Sequence, residues 1–252
     1  MPVNTENIND RFFEGSYKDA WKKTIPEGLS EAEVDFIIDI GSLKAGSKVI
    51  DLMCGWGRHS IELARRGITV TAIDNLKDYV EEIKLKALQE GLNIQTVHRS
   101  VLDITLEGEY KAAICMGNSF NFFDRDDALS ILKNVSSHLS PKGVLVINSW
   151  SIAEIAIRYF KEKDWYWAGD YRCVIDYKYA LHPSRIESEQ AIIASDGTSE
   201  TLTAVDYIYS LEELEHLFRA AGLRTKVLYS TPRKKPFSFG DVRVYIVAEK
   251  IH

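Results

Sequence analysis

The sequence predicts an α/β fold in which a largely parallel sheet alternates with helices, two helices precede the sheet, and an antiparallel β segment interrupts it late. Three observations predict it. Short apolar runs at residues 49–52, 68–74 and 110–117 end in polar or glycine positions, and each is followed by helical spacing or a turn into a helix, the rhythm of strand–helix units. The first run leads into Gly55-Trp56-Gly57, which cannot lie inside a strand or helix without an entropic cost and so reads as a tight turn. From Tyr171 onward the apolar period shortens to two, with Tyr171, Cys173, Ile175, Tyr177 and Tyr179 set between Arg172, Asp176 and Lys178, the pattern of a half-buried strand.

Residues 1–44 place Phe12, Phe13, Tyr17, Ala20 and Trp21 roughly on one face of a first helix. Ser30-Glu31-Ala32-Glu33 predicts a capping box at the start of a second, which carries Val34, Phe36, Ile37 and Ile40. The glycine turn then joins a buried strand to a helix from Ser60 onward. A helix N-terminus offers unpartnered amides to a polar ligand, while the Asp51 carboxylate at the strand end suits a cation. The next strand ends in Asp74. A carboxylate about 20 residues beyond a glycine loop can accept both hydroxyls of a ribose, or it can cap the helix expected over 77–89. Residues 94–98 are a third strand and 110–117 a fourth, followed by Asn118-Ser119-Phe120-Asn121 at the end where an open parallel sheet binds ligands. Asn118 and Ser119 either serve that site or cap the next helix, which spans 124–140 and stops at Pro141-Lys142-Gly143 before a fifth strand over 144–148.

Residues 151–209 read as an antiparallel insertion of about three strands, with a chain reversal at His182-Pro183 and a hairpin turn at Asp196-Gly197. Trp165, Tyr166, Trp167, Tyr171, Tyr177 and Tyr179 make it aromatic-rich. Such residues can wall a cation site or simply be strand stock. Ser210 caps a helix over 211–218, and strands over 223–229 and 242–249 close the chain around the basic loop Thr231-Pro232-Arg233-Lys234-Lys235-Pro236.

A chain of 252 residues can bury a full core, and its 45% hydrophobic and 27% charged content is that of an ordinary globular protein. The net charge of −6 argues against a nucleic-acid surface. Three widely separated cysteines (Cys54, Cys115, Cys173) and six histidines show no metal-ligand spacing; the cysteines read as reduced thiols of a cytoplasmic protein. The opening residues, Met1 to Glu6, lack the regions of a signal peptide, and no apolar run is long enough for a membrane span. No metal, nucleic-acid or membrane partner is expected, and the oligomeric state is not readable.

Asp51 with Cys54-Gly55-Trp56-Gly57-Arg58 resembles motif I (Asp-x-x-Cys-Gly-x-Gly-Arg) of class I methyltransferases that use S-adenosylmethionine (SAM). The resemblance runs from about Val49 to Lys250. It implies a Rossmann-like, seven-stranded methyltransferase sheet completed by a closing antiparallel hairpin, an N-terminal helical lid (1–44), a SAM-binding domain (45–150 and 210–252) and an acceptor-recognising insertion (151–209). It also implies that Asp51, Cys54, Gly55, Gly57, Asp74, Asn75 and Met116 hold the cofactor. Where similar enzymes hold adenine through Gly-Asp, this chain has Ser100 and Val101, with Asp103 as the rival. Tyr17 and Trp21 become candidates to touch cofactor or acceptor, and Arg243 to meet an acceptor carboxylate. The Gly-Asn-Ser ending of the fourth strand narrows the resemblance to small-molecule enzymes, including glycine and sarcosine N-methyltransferases, with Asn118 and Ser119 beside the transferred methyl group.

Methyl transfer needs alignment and exclusion of water more than covalent catalysis. A hydroxyl acceptor needs a general base, for which only His59 and Asp103 offer themselves, so a small amine is favoured. Oxygen or carbon acceptors, a nicotinamide-dependent reductase and a non-catalytic SAM-binding module stay open. The reductase is disfavoured by Asp51 and by Ser60 where a third glycine would stand.

Overall fold

The computed structural model describes residues 7–251; the reading of Met1 to Glu6 lies outside them. Two helices, α1 (Ser16–Thr24) and α2 (Leu29–Ile40), lead into β1 (Lys48–Leu52), α3 (Arg58–Arg65), β2 (Thr69–Asp74), α4 (Lys77–Glu90), β3 (Ile94–His98) and β4 (Tyr110–Cys115). A single 3-10 turn, Ser119–Phe122, precedes α5 (Arg125–His138) and β5 (Leu139–Ser149). After α6 (Ala153–Tyr159) come β6 (Lys163–Ala168), β7 (Tyr171–Leu181), β8 (Ser184–Ile193) and β9 (Ser199–Tyr207). The chain closes with α7 (Leu211–Ala220), β10 (Leu223–Tyr229) and β11 (Val244–Lys250).

Seven strands form one sheet in the order β10-β11-β5-β4-β1-β2-β3. Those from β1 to β5 run parallel, and β11 is antiparallel to both β5 and β10. The strand order reverses beside β1, so the crevice of the sheet opens at the carboxyl ends of β1 and β4. Parallel strands covered on both faces must be apolar throughout. Val49, Val70, Ala72 and Ile114 face Val34 and Ile37 of α2, Leu63 of α3 and Ile83 of α4. Ile50, Ile73, Ala113 and Leu145 face Ile131 and Leu132 of α5 and Leu214 and Phe218 of α7.

The strands β6-β7-β8-β9 form a second, wholly antiparallel sheet. This is four strands where three were expected. In β6 the run Trp165-Tyr166-Trp167 is aromatic on both faces and hides the two-residue alternation. The two N-terminal helices part company. Helix α2 belongs to the layer over the large sheet, whereas Tyr17 and Ala20 of α1 pack with Phe12 against Ala168, Cys173, Ile192 and Ala204 of the small one. Helix α2 also starts two residues early, after Gly28 in the left-handed region (φ 75°), and no capping box forms at Ser30. Ser210 does form one with Glu213 at α7.

Candidate functional site

The turn after β1 places its backbone by hydrogen bonds to the neighbouring strand. Cys54 N donates to Ile73 O at 3.0 Å, and Gly55 N donates to Asp74 Oδ2 at 2.8 Å. The other Asp74 oxygen accepts from Leu76 N at 2.9 Å, ahead of α4. Each carboxylate oxygen keeps a second lone pair, so Asp74 both stiffens the turn and stays able to accept from a ligand. Burial pushes its pKa up to about 6. Asp51, almost fully buried at the end of β1, accepts from Ser60 Oγ at 2.6 Å, and burial pushes it up to about 7. Ser60, standing where a dinucleotide fingerprint would have glycine, is therefore the partner of the acid.

Asp51, Cys54, Gly55, Asp74, Asn75, Ser100, Val101 and Met116 line one cleft with about 970 Å³ of empty space, together with Gly117, Ser119 and Trp21. Gly57 is not in that lining. At φ 77° its missing side chain faces Ile83, where a Cβ would come within 2.5 Å of the Ile83 side chain. Gly57 thus lets α3 and α4 close on each other, and it is Gly55, with open space in front of it, that presents backbone to the cleft. Asp103 is exposed, 3.5 Å from Arg99 at the cleft, and is not itself in the lining, whereas Ser100 is. Tyr17 is buried behind Trp21, with their rings stacked 6.1 Å apart. Arg243 lies with its guanidinium 5.2 Å from the ring centre of Trp150 and is not in the lining either.

Asn118 differs most from expectation. It sits at φ 71° and is 2% exposed, with its side chain fully engaged. Its Nδ2 donates to Ser151 Oγ (2.8 Å) and Asp206 Oδ1 (2.7 Å), while its Oδ1 accepts from Ser149 Oγ, Trp150 N and Ser151 N. It ties the end of β4 to β5 and β9 and does not itself line the cleft; its neighbours Gly117 and Ser119 do.

Several features in and behind the lining were not legible beforehand. Glu33 of α2 is 0% exposed and accepts from Arg58 Nη1 (2.5 Å), His59 Nε2 (2.9 Å) and Tyr245 OH (2.7 Å). Burial alone would raise its pKa, but the bonds from His59 and Tyr245 and the charge of Arg58 hold it at about 2. His59 is pushed down to about 4 by burial and by Arg58, so it is a neutral donor to Glu33 at pH 7 rather than a base. The reading of Glu33 as a capping residue hid this cluster; its only signal was an acid on the apolar face of α2. Asn7, Asn9 and Asp10 cover the cleft from outside. Asn9 pairs both backbone groups of Val205 on β9 (2.9 and 2.7 Å), and Asn75 Nδ2 donates to Asp10 Oδ1 at 2.6 Å. Among the described residues, no three His, Cys, Asp or Glu side chains converge as metal ligands, and no helix is long and apolar enough to cross a membrane.

Residues 49–143 match the methyltransferase domain family. The chain is 28% identical over 152 residues to a glycine/sarcosine N-methyltransferase of Halorhodospira halochloris, covering 57% of this chain and 55% of that protein. It is 33% identical over 107 residues to a ubiquinone biosynthesis O-methyltransferase of Xanthomonas axonopodis pv. citri, covering 42% and 44%. The chain thus spans about half the length of these curated relatives. In fold it is similar to an S-adenosylmethionine-dependent methyltransferase from Clostridium acetobutylicum, with a TM-score of 0.80 at 17% identity over 93% of this chain and 96% of the other.

Proposed function

We propose that this chain, whose residues 49–143 match the methyltransferase domain family, is a class I methyltransferase that transfers the methyl group of SAM to a small-molecule amine in the cytoplasm. The observation that carries the proposal is that the ends of β1, β2 and β4 converge on one cleft, with two buried carboxylates and one open glycine facing it. The donor set fits the cofactor. Asp74 can accept from ribose hydroxyls, Gly55 lets backbone approach, Ser100 and Val101 can flank adenine, and Asp51 suits a cationic amino-acid moiety. Arg58, with one nitrogen on Glu33, keeps other donors for a carboxylate. Once bound, SAM supplies an electrophilic methyl carbon on a sulfonium.

The chain's own work is positioning. Trp21, Phe122 and the segment at Asn7 and Asn9 wall the cleft from water, which strengthens the electrostatics inside it. Asn118 fixes the Gly117–Ser119 wall through its five hydrogen bonds, and it acts through that wall. The insertion joins the segments that wall the cleft through Asn9 at Val205 and Asn118 at Asp206, so it is assigned to acceptor recognition, as loops and inserts on a rigid scaffold commonly carry specificity. An amine is favoured by the glycine/sarcosine N-methyltransferase relative. Three buried free cysteines fit a reducing compartment, and the net charge of −6 speaks against nucleic acid as partner.

Transfer of label from methyl-labelled SAM to glycine, sarcosine, glucosamine and matching hydroxy compounds tests the proposal. Label on an amine nitrogen is the expected result; label only on oxygen or carbon would replace the amine reading, and no label with any acceptor would sink the enzyme reading.

A further inference from the structure

Strand β9 sends Thr203, Val205 and Tyr207 to an outer groove of the small sheet. By the two-residue alternation of a strand, Asp206 points the other way, toward the large sheet. There its Oδ1 accepts from Asn118 Nδ2 at 2.7 Å and from Ser151 Oγ at 3.4 Å. Its Oδ2 accepts from none of the described residues, and no described lysine, arginine or histidine pairs with it. A carboxylate withdrawn from water without a cation is costly; Asp206 as a residue keeps part of its surface open, and its carboxylate, which is not itself in the lining of the cleft, adjoins that lining through Asn118. The titratable groups that face it are the phenols of Tyr17 on α1 and Tyr177 on β7. Both are held neutral by burial and present aromatic surface. Asp206 is tied through Asn118 to the wall at Gly117 and Ser119, and through Tyr17 it neighbours Trp21, which lines the same cleft. An acid with one open oxygen, aromatic neighbours and no cation is a site for an ammonium group.

We infer that Asp206 is the residue that receives the acceptor: its Oδ2 binds the protonated amine and takes one proton from it. This rests on the amine reading above. In that step an N–H bond of the ammonium breaks and an O–H bond forms on Asp206. The bonding pair stays on nitrogen as the lone pair that becomes nucleophilic, and the total charge is unchanged. The position also explains why Asn118 is so fully bonded. Its amide holds Oδ1 of Asp206 at 2.7 Å and so aims the other oxygen. Burial pushes Asp206 up to about 7, close to the working pH, as a proton acceptor requires.

The test uses whichever of glycine, sarcosine and glucosamine the wild-type chain methylates best. For that amine, kcat/KM should rise with pH to a plateau near pH 7 and fall where the free amine loses its own proton. Asp206→Asn should lower it about a hundredfold and move the rise to the pKa of the free amine, because only the neutral form is then productive. S-adenosylhomocysteine affinity should be unchanged, while calorimetric affinity for the amine in its presence should drop at least tenfold. Asp206→Glu should restore the rise near neutrality at reduced rate. It also serves if the Asn variant melts too low, when a wild-type rate in Asp206→Glu with a profile following the free amine would overturn the inference. So would wild-type rate, profile and amine affinity in a folded Asp206→Asn, with the amine reading left standing. Methylation confined to oxygen or carbon, or none at all, would remove the amine reading and this assignment with it.

Discussion

Gly55 and Gly57 stand in one turn, at φ 56° and 77°, and a side chain at each would meet different surroundings. At Gly55 a Cβ meets nothing within 4 Å, so Gly55→Ala should cost about 1–2 kcal/mol of backbone strain and chiefly intrude on the cleft. Calorimetry should show S-adenosylhomocysteine affinity reduced by about tenfold or more. At Gly57 a Cβ comes within 2.5 Å of Ile83, so Gly57→Ala adds overpacking to the strain, about 2–4 kcal/mol together. Urea unfolding should register that loss first. Glu33 poses the complementary case of a buried acid with three donors around it. Glu33→Ala leaves Arg58, His59 and Tyr245 without their acceptor and should destabilise the fold by about 3–5 kcal/mol. The sign with pH follows from the depressed pKa. The contribution of Glu33 is present above its ordinary 4.5 and fades as pH falls toward about 2. The stability gap between wild type and variant should therefore narrow on acidification, and a gap constant from pH 7 downward would count against the ionised cluster.

At the scale of elements, the segment before α1 acts as a clasp. The Asn9 side chain supplies the edge strand β9 with one donor and one acceptor, as a neighbouring strand would, at Val205, and Asp10 holds Asn75 at the rim of the cleft. Asn9→Ala should leave both Val205 backbone groups without that partner, a local cost of about 1–3 kcal/mol. Hydrogen exchange at Val205 and at Asn75 should accelerate while exchange in β1 and β4 stays slow. Unchanged exchange at Val205 would show that the clasp does not hold the segment. The same bond geometry binds the small sheet to the large one, since Asn121 Nδ2 donates to Ser151 O and Tyr207 O and Asn118 reaches Asp206. Excision of 151–209 would orphan these amides, so acceptor recognition is better probed by single residues than by deletion.

Over the whole molecule, the parallel core was legible because β1, β2, β4 and β5 are buried on both faces and therefore largely apolar, while β3 is a part-exposed edge, and because glycine and acid mark the strand ends. The cleft was legible for the same reason: Asp51, Gly55, Asp74 and Met116 lie at those ends. What could not be read were contacts between distant segments. Nothing local in the chain says that Asn9 meets Val205, that Glu33 meets Tyr245, or that Asn118 spends its amide on Asp206. Helix α6 and strand β6 were missed because one is only seven residues long and the other has no polar alternation. The folded domain also sets a charge state that no single residue carries in water. Asp51 and Asp74, with ordinary values of 3.8, are raised by burial to about 7 and about 6. A raised folded-state pKa means that their contribution to stability is fully present below 3.8 and is lost as pH rises through those values. A cationic ligand reverses the preference, because an ionised Asp51 opposite a positive group is favoured. Under the proposed assignment, S-adenosylhomocysteine and SAM both bring an ammonium group and SAM adds the sulfonium. Affinity should then climb as pH rises to about 7 and level off above it, more steeply for SAM. Below that pH, binding should expel a proton, seen as a heat that changes between buffers of different ionisation enthalpy. Asp51→Asn should flatten both the pH slope and the buffer dependence, and an unaltered slope in that variant would move the cation away from Asp51.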